Sequence, residues 1–532
     1  MILSRRTVLM GSLALPFLHG TARAEPVDVR RAGAKGDGRS LDHHAINAVI
    51  ADAAKKGGGI VVLPAGRYLC FSIRLRSNIA LLLEPGAVIV AADPAQDGGS
   101  YDPPEPNAHD IYQDFGHSHW QNSLIWGDGL ENVAIMGGGL IDGTRGLTRQ
   151  GPGARWQGGV GSGPNSMGPS PARPAEEMEA AIARMAGLGN KAIALKNCRN
   201  VLLRDFRMLN AGHFALLASG VRQMTIDNLL VDTNRDGLDI DACRDVTISN
   251  CRVNTPNDDA IVLKSSAALA EIQPTENVAI SDCIVSGFDP GTVLDGTYGR
   301  TQALAPDRDG MTGRIKLGTE STGGFRNVAI TNCVFERSRG LALESVDGGV
   351  LENVTVSNLT MREVTTAPIF LRLGDRRRAP PGAGVAQLRG VTISNVEATD
   401  IDPAFAATIA GLPDAPVEDV HLSGIRLRYR GGGTKADAER AVPEERATYP
   451  EPSMFGTTPA WGLYVRHARG LRIDGLDLST AMPDARPAVH LEDAHDVSVS
   501  GLRAPGEIVR RASSGVRLVP DQTTDQTRPG GA

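Results

Sequence analysis

The sequence predicts an all-β solenoid, a single-stranded parallel β-helix with long loop insertions. Three observations predict it. The phrase "RNVLLRDFRM", beginning at Arg199, returns as "RQMTIDNLLV", "RDVTISNCRV", "ENVAISDCIV", "RNVAITNCVF", "ENVTVSNLTM", "RGVTISNVEA", "EDVHLSGIRL", "RGLRIDGLDL" and "HDVSVSGLRA". Its third residue marks Val201, Met224, Val246, Val278, Val328, Val354, Val391, Val420, Leu471 and Val497, at spacings of 23, 22, 32, 50, 26, 37, 29, 51 and 26. The short spacings are near-constant, and the long ones read as the same unit plus an inserted loop. Each phrase also alternates apolar and polar residues and ends in Asn, Asp or Gly, so it is a short strand that cannot bury its apolar face alone. Coils stacked about 4.8 Å apart bury one another. Finally, 62 glycines and 4% aromatic residues in a chain of 532 fit many short strands and turns better than several globular domains. No L-x-x-L-x-L pattern recurs, which sets the leucine-rich solenoid aside.

The N-terminus, "MILSRRTVLMGSLALPFLHGTARAEPVD", has twin arginines Arg5 and Arg6, an apolar run from Val8 to Leu18, and Ala22-Arg23-Ala24 as a cleavage site. Residues 1–24 therefore read as a twin-arginine export signal, and the mature chain is expected in a periplasm or outside the cell. The solenoid is expected over residues 25–515, with early coils at "SNIALLLEPGAVIVAA" and "ENVAIMGGGLIDG". Residues 144–190 are rich in Gly and Pro and form an inserted loop with one helix at "PAEEMEAAIARMAG". Its "GGVGSGPNSMG" follows no strand and does not spell a phosphate-binding loop. The polar tail, 516–532, is expected to be disordered.

The formal net charge is -6 with both signs interspersed, so no basic stripe offers itself to nucleic acid. No later segment approaches the roughly 20 continuous apolar residues of a membrane helix. Four of the six cysteines, Cys198, Cys251, Cys283 and Cys333, sit in Asn-Cys or Asp-Cys contexts of the repeat and are expected as a buried column of free thiols. No C-x-x-C pair suggests a metal, and no cofactor is called for. Oligomeric state has no signature.

The repeat serves as a ruler for the acidic residues in "VDTNRDGLDIDACRDVTISNCRVNTPNDDAIVLKSS". Asp236 falls 12 residues after Met224, and Asp258 and Asp259 fall 12 and 13 after Val246. They are expected on adjacent coils of one wall, with a bend after Pro256 bringing both members of the Asp258-Asp259 pair outward. Carboxylates this close raise one another's proton affinity and divide into acid and base, which is what glycosidic bond hydrolysis requires. On spacing alone, a ladder of turn residues or a calcium site is an equal alternative. Asp239, three residues beyond Asp236, is expected to be structural or supporting.

The blocks "NRDGLDI" and "PNDDAIVLKSS" resemble the N-T-D and G-D-D blocks of glycoside hydrolase family 28, the polygalacturonases. The opening "AGAKGDGRSLDHHAINAVIADAAKKGGGIVVLPAGRYL" resembles the start of the same pectin-degrading group, a helix leading into the first coil. The resemblance implies a right-handed β-helix and an inverting hydrolase acting on pectic polysaccharide or oligosaccharide. It also implies Asp258 as general acid, Asp236 and Asp259 as the pair activating water, and Asn234 as an orienting amide. The chain departs from the family in two places. "DGMTGRIKLGTESTGG" lacks the histidine of the family's G-H-G block, and "ERSRGLALES" places Ala342 and Glu344 where Arg and Lys would grip a galacturonate carboxylate. A glutamate there would repel that carboxylate.

Lys264, Arg300, Arg314, Lys316 and Arg372 are candidate compensating cations for an acidic sugar, with Glu320 and Glu344 pairing to Lys264 or Arg314 or joining the acid-base machinery. His119 and Trp120, in "GHSHWQNSLIW", are candidate sugar contacts. His213 falls 12 after Val201, one coil before Asp236, and is the best-placed histidine. The altered recognition block and the long loops point to end-cleavage of a rhamnogalacturonan-type pectin. Two rival readings stand beside it: a calcium-dependent pectic lyase and a glycan-binding solenoid without catalysis.

Overall fold

The structure, a computed structural model, describes residues 25–113, 116–147, 175–301, 311–505 and 508–519. The expected export signal, the "GGVGSGPNSMG" stretch and residues 520–532 lie outside the described residues.

The middle coils contribute three strands each, the later ones two because the second and third merge, as in Phe325–Glu336, and the strands pair in parallel with their counterparts one coil on. Phe214–Ser219, Arg222–Asp227 and Leu230–Asp232 are followed by Asp236–Asp241, Arg244–Ser249 and Arg252–Asn254. The marker residues stack directly: Val201 faces Met224, then Val246, Val278, Val328, Val354, Val391, Val420 and Leu471. A second inward stack runs through Leu216, Leu238, Ile261 and Ile315. All are buried, and each such aliphatic contributes about 1.5–3 kcal/mol by leaving water. The early coils occur where expected, at Ile79–Leu83, Ala87–Ala91, Glu131–Met136 and Leu140–Asp142. Helix His43–Lys55 closes the N-terminal end, burying Ile46, Val49 and Ile50 at helical spacing in the same core.

The polar residues of the repeat make the corners. Asn200, Gln223, Asp245, Asn277, Asn327 and Asn353, each just before a marker, have φ between 54° and 59°, the left-handed region that Asn and Asp tolerate best among side chains. Their amides bond from coil to coil, Asn277 to Asp245 at 2.8 Å, Asn327 to Asn277 at 3.0 Å and Asn353 to Asn327 at 2.6 Å.

Two expectations are corrected. All six cysteines are free and buried, but only Cys251, Cys283 and Cys333 share a column. Cys198 precedes the marker strand rather than following it, so its turn is that of Cys243 two coils later. Arg517–Val519 pairs with Ser498–Ser500, so the last coil runs past residue 515. The helix expected in the inserted loop is present at Ala175–Arg184.

Candidate active site

The wall formed by Lys191–Lys196, Phe214–Ser219, Asp236–Asp241, Ile261–Ser265, Ile315–Ser321, Leu341–Ser345 and Ile369–Leu373 carries the charged groups. Its register places Phe214 and Asp236 side by side, then Leu238 opposite Ile261. By continuation Asp236 lies opposite Asp259, not Asp258, and His213 lies one position before it. The ruler was one residue off because the turn entering the Asp236 strand is short: three residues separate Asp232 from Asp236, against four between Leu209 and Phe214 and four between Asn254 and Asp259. Asp258 ends the longer turn, where Thr255 Oγ1 donates to its carbonyl at 2.8 Å. The bend expected after Pro256 is this turn.

Asp236, Asp258 and Asp259 each bring a carboxylate oxygen within 4.8 Å of the others. Asp236 and Asp259 are 3% and 4% exposed, and Asp258 is half-buried at the rim. Their partners differ. Burial alone would raise Asp259, but the Arg314 guanidinium, donating from Nε at 2.7 Å, and the Lys316 ammonium at 3.6 Å outweigh it and hold this carboxyl far below its ordinary range. Burial raises Asp236 well above the ordinary range, and the neighbouring Asp258 adds to it. Asp258 forms an ion pair with Arg235, whose Nη1 also donates to the Asn257 carbonyl at 3.1 Å.

Around the acids the predicted residues sort into three groups. Asn234 is half-buried and accepts from the Asn257 amide at 2.6 Å, beside the acids as expected. His213 stacks on Phe214 with centroids 4.2 Å apart, its Nε2 3.8 Å from Asp236. Lys264 donates to Asp239 at 2.8 Å and to His117 Nε2 at 2.5 Å, with Glu320 at 3.9 Å. Burial would lower the Lys264 ammonium, but Asp239, Asp236 and Glu320 raise it well above the usual lysine range. Asp239 is thus the counter-ion of Lys264, a supporting role as expected. Lys316 lies 3.2 Å from Glu344, and burial pushes Glu344, itself 0% exposed, up to about 7 against the pull of Lys316 and Arg314.

The second group lies on the wall but is spent on structure. Arg372 donates to the carbonyls of Gly411, Glu444 and Glu445 at 2.9–3.0 Å, and burial lowers it to about 9. His119 is buried with Nδ1 2.7 Å from the Glu105 carbonyl. Trp120 is 1% exposed, donates to Ser219 Oγ at 3.0 Å and carries Lys196 over its ring. Neither presents a face to a sugar. The third group is Arg300 alone, an exposed pair with Glu363 at 2.7 Å away from the acids.

Sequence reasoning passed over the residues that close the site. Residues 430–462 fold back over the wall from the coil of Leu463 to that of Ile315, four coil steps or about 19 Å. Along this strap Glu444 pairs with Arg466 and His467, and Tyr449 lies against Lys316 and Arg376. Glu451 takes Arg314 in a two-pronged pair at 2.6 and 3.0 Å and Arg339 at 2.9 Å. Met454 and Phe455 pack on Ala342, Ala367, Phe370 and Ala410. Glu320 meets Arg376 and Arg378, and Arg376 forks onto Asp347. On the other side of the acids, residues 102–113 and 116–122 roof the wall, with Asn107 reaching the Ala268 carbonyl and His117 reaching Lys264. The only sequence signal of the strap was the spacing of 51 between Val420 and Leu471.

The trio of acids and the trio His117, Asp236 and Asp239 each have the spacing of a cation site. Internal cations already stand there: Lys264 against Asp239 and His117, Arg314 against Asp259, Arg235 against Asp258. A divalent ion would have to displace them. The arrangement sets one carboxyl pushed toward its protonated form beside another held ionised, a pairing from which an acid and a base can be drawn.

Residues 27–158 match a family model described as rhamnogalacturonase A/epimerase, pectate lyase-like, and residues 181–301 match the right-handed β-helix region. A probable polygalacturonase of Vitis vinifera is 23% identical over 471 residues, 84% of either chain. The structure of an exopolygalacturonase from Thermotoga maritima aligns at a TM-score of 0.56 and 21% identity, covering 76% of this chain and 87% of that one. A family 28 exopolygalacturonase from Yersinia enterocolitica aligns at 0.59 and 19% identity, covering 93% and 79%. The molecule is a right-handed parallel β-helix. Over most of its length the chain is similar to polygalacturonases, the group that the acidic blocks resemble.

Proposed function

We propose that this protein is a glycoside hydrolase that cleaves galacturonate-containing pectic polysaccharide or oligosaccharide, of the rhamnogalacturonan type, from a chain end. The observation that carries the reading is the cluster of three carboxylates within 4.8 Å, one protonation-prone and one pinned ionised, on adjacent coils of one wall. Relatedness to polygalacturonases supports the pectic substrate. The inverting outcome rests on that resemblance: nearest oxygens within 4.8 Å are tighter than the roughly 6.5–9.5 Å separation usual for inverting pairs.

End-cleavage is supported by the covers on both sides of the acids, which leave little open wall for a continuous polymer. A rhamnogalacturonan is favoured by the cations. Arg314 and Lys316 are engaged by Glu451, Glu344 and Asp259, so a substrate carboxylate must compete for them. Such a site suits a chain in which uronate alternates with a neutral sugar. The export signal at residues 1–24 would deliver the enzyme to the periplasm or beyond. Digestion of defined homogalacturonan and rhamnogalacturonan oligosaccharides tests the reading: single residues released from one end of the latter are expected, and rapid mid-chain cleavage of homogalacturonan would overturn it.

A further inference from the structure

Asp258 and Asp259 each have a direct guanidinium partner, whereas Asp236 has only a longer ion-pair contact, to an imidazole. Asp258 is paired with Arg235, and Asp259 with Arg314 and Lys316. Asp236 is buried, its Oδ1 accepts no hydrogen bond, and its ion-pair contact is with His213 Nε2 at 3.8 Å. It faces Asp258 and Asp259 on one side, with Asp239 and the Lys264 ammonium further along the wall. A buried carboxyl with one oxygen lacking a donor, set against carboxylates held by their own guanidinium partners, is the member of a cluster that keeps the proton. The reason Asp258 is paired is local in sequence: position 235, which is Thr in the N-T-D block that this stretch resembles, is Arg here.

We propose that Asp236, rather than Asp258, is the general acid of this enzyme, and that Arg235 is the positioning residue that assigns the role by engaging Asp258 as a carboxylate. The inference rests on the hydrolase reading above. In the step, the Asp236 proton passes to the glycosidic oxygen as the bond from that oxygen to the anomeric carbon breaks. Water adds to the anomeric carbon and gives its proton to Asp259. One proton has left Asp236 and one has arrived on Asp259, and its return across less than 4.8 Å resets the pair. The raised proton affinity of Asp236 and the depressed one of Asp259 fit the states in which the step begins, Asp236 protonated and Asp259 ionised.

A leaving group that needs no proton separates the two assignments. Wild type, Asp236→Asn and Asp258→Asn are assayed on the pectic oligosaccharide that wild type cleaves and on 4-nitrophenyl α-D-galacturonide. Loss of the acid should lower oligosaccharide hydrolysis by about 10²- to 10⁴-fold. We expect Asp236→Asn to show that loss while keeping aryl galacturonide hydrolysis within about tenfold of wild type, and Asp258→Asn to show no such selective recovery. Recovery in Asp258→Asn, or in neither variant, overturns the assignment. A wild type that hydrolyses neither substrate removes the hydrolase reading itself. Arg235→Thr should shift the alkaline limb of kcat/KM to higher pH, because a positive charge that favours the ionised carboxyls is gone, and Arg235→Lys should restore it. A limb that stays put or moves down contradicts the role of Arg235.

Discussion

Asp245 and Asp236 stand on one coil, nine residues apart, and do opposite things. Asp245 occupies a corner with φ of 59°, exposed, its carboxylate accepting from the Asn277 amide in a ladder that runs up the solenoid. Asp236 faces a roofed wall, buried among acids and without a hydrogen-bond donor on Oδ1. The residue type is the same. Position on the coil decides: a corner aspartate stays in water and satisfies a turn, whereas a wall aspartate loses water and changes its proton affinity.

The sharpest way to break this contrast is to neutralise each in turn. Asp236→Asn should lower kcat on the cleaved oligosaccharide by about 10²- to 10⁴-fold with thermal unfolding unchanged, since Asn mimics the protonated acid. Asp245→Asn should leave both turnover and unfolding as they were. Equal losses for the two would erase the distinction.

The strap offers the next largest effect. Removing the charge of Glu451 leaves Arg314 and Arg339 buried without their shared counter-ion, and breaking a buried pair this way costs about 3–5 kcal/mol. Glu451→Gln should therefore lower the denaturant midpoint and reduce turnover together, because Arg314 also holds Asp259. A variant that loses neither would show that the strap does not organise the site.

Corner substitutions should act on stability alone. Asn327 has φ of 54°, so Asn327→Ala is expected to cost about 1–2 kcal/mol while Asn327→Gly costs less, with kcat unchanged in both. The smallest effect concerns Glu344, whose folded-state value is raised from 4.5 to about 7. In that window the folded chain holds a proton the unfolded chain has lost, so this group's contribution to stability falls as pH rises from 4.5 to about 7. Glu344→Gln should flatten that part of the curve of unfolding temperature against pH, and a steeper curve would contradict the assignment.

The solenoid was legible because its signal is periodic: Val201, Met224, Val246 and their successors stack as their spacing implied. The three acids were legible for the same reason, within one residue. The single-residue error arose at a turn, where a coil can lose a residue without disturbing the markers on the next strand. What stayed hidden was non-periodic. Glu451 and Tyr449 meet Arg314, Arg339 and Lys316 only because a loop more than a hundred residues downstream folds back over four coils, and no pattern within "EERATYPEPS" announces its destination. Arg314 and Lys316 were picked out as spare cations for a sugar acid; the structure engages both internally. His119 and Trp120 look like a sugar platform in sequence, yet their polar atoms are turned to Glu105 and Ser219.

The central claim is that the acidic wall adds water across a pectic glycosidic bond. It is tested most directly by digesting rhamnogalacturonan oligosaccharides with the full chain in heavy-oxygen water containing a chelator, followed by mass spectrometry of the products. Saturated products carrying one heavy oxygen at the new reducing end are expected, formed by wild type and not by Asp236→Asn. Unsaturated products without the label, formed only when calcium is restored, would contradict it.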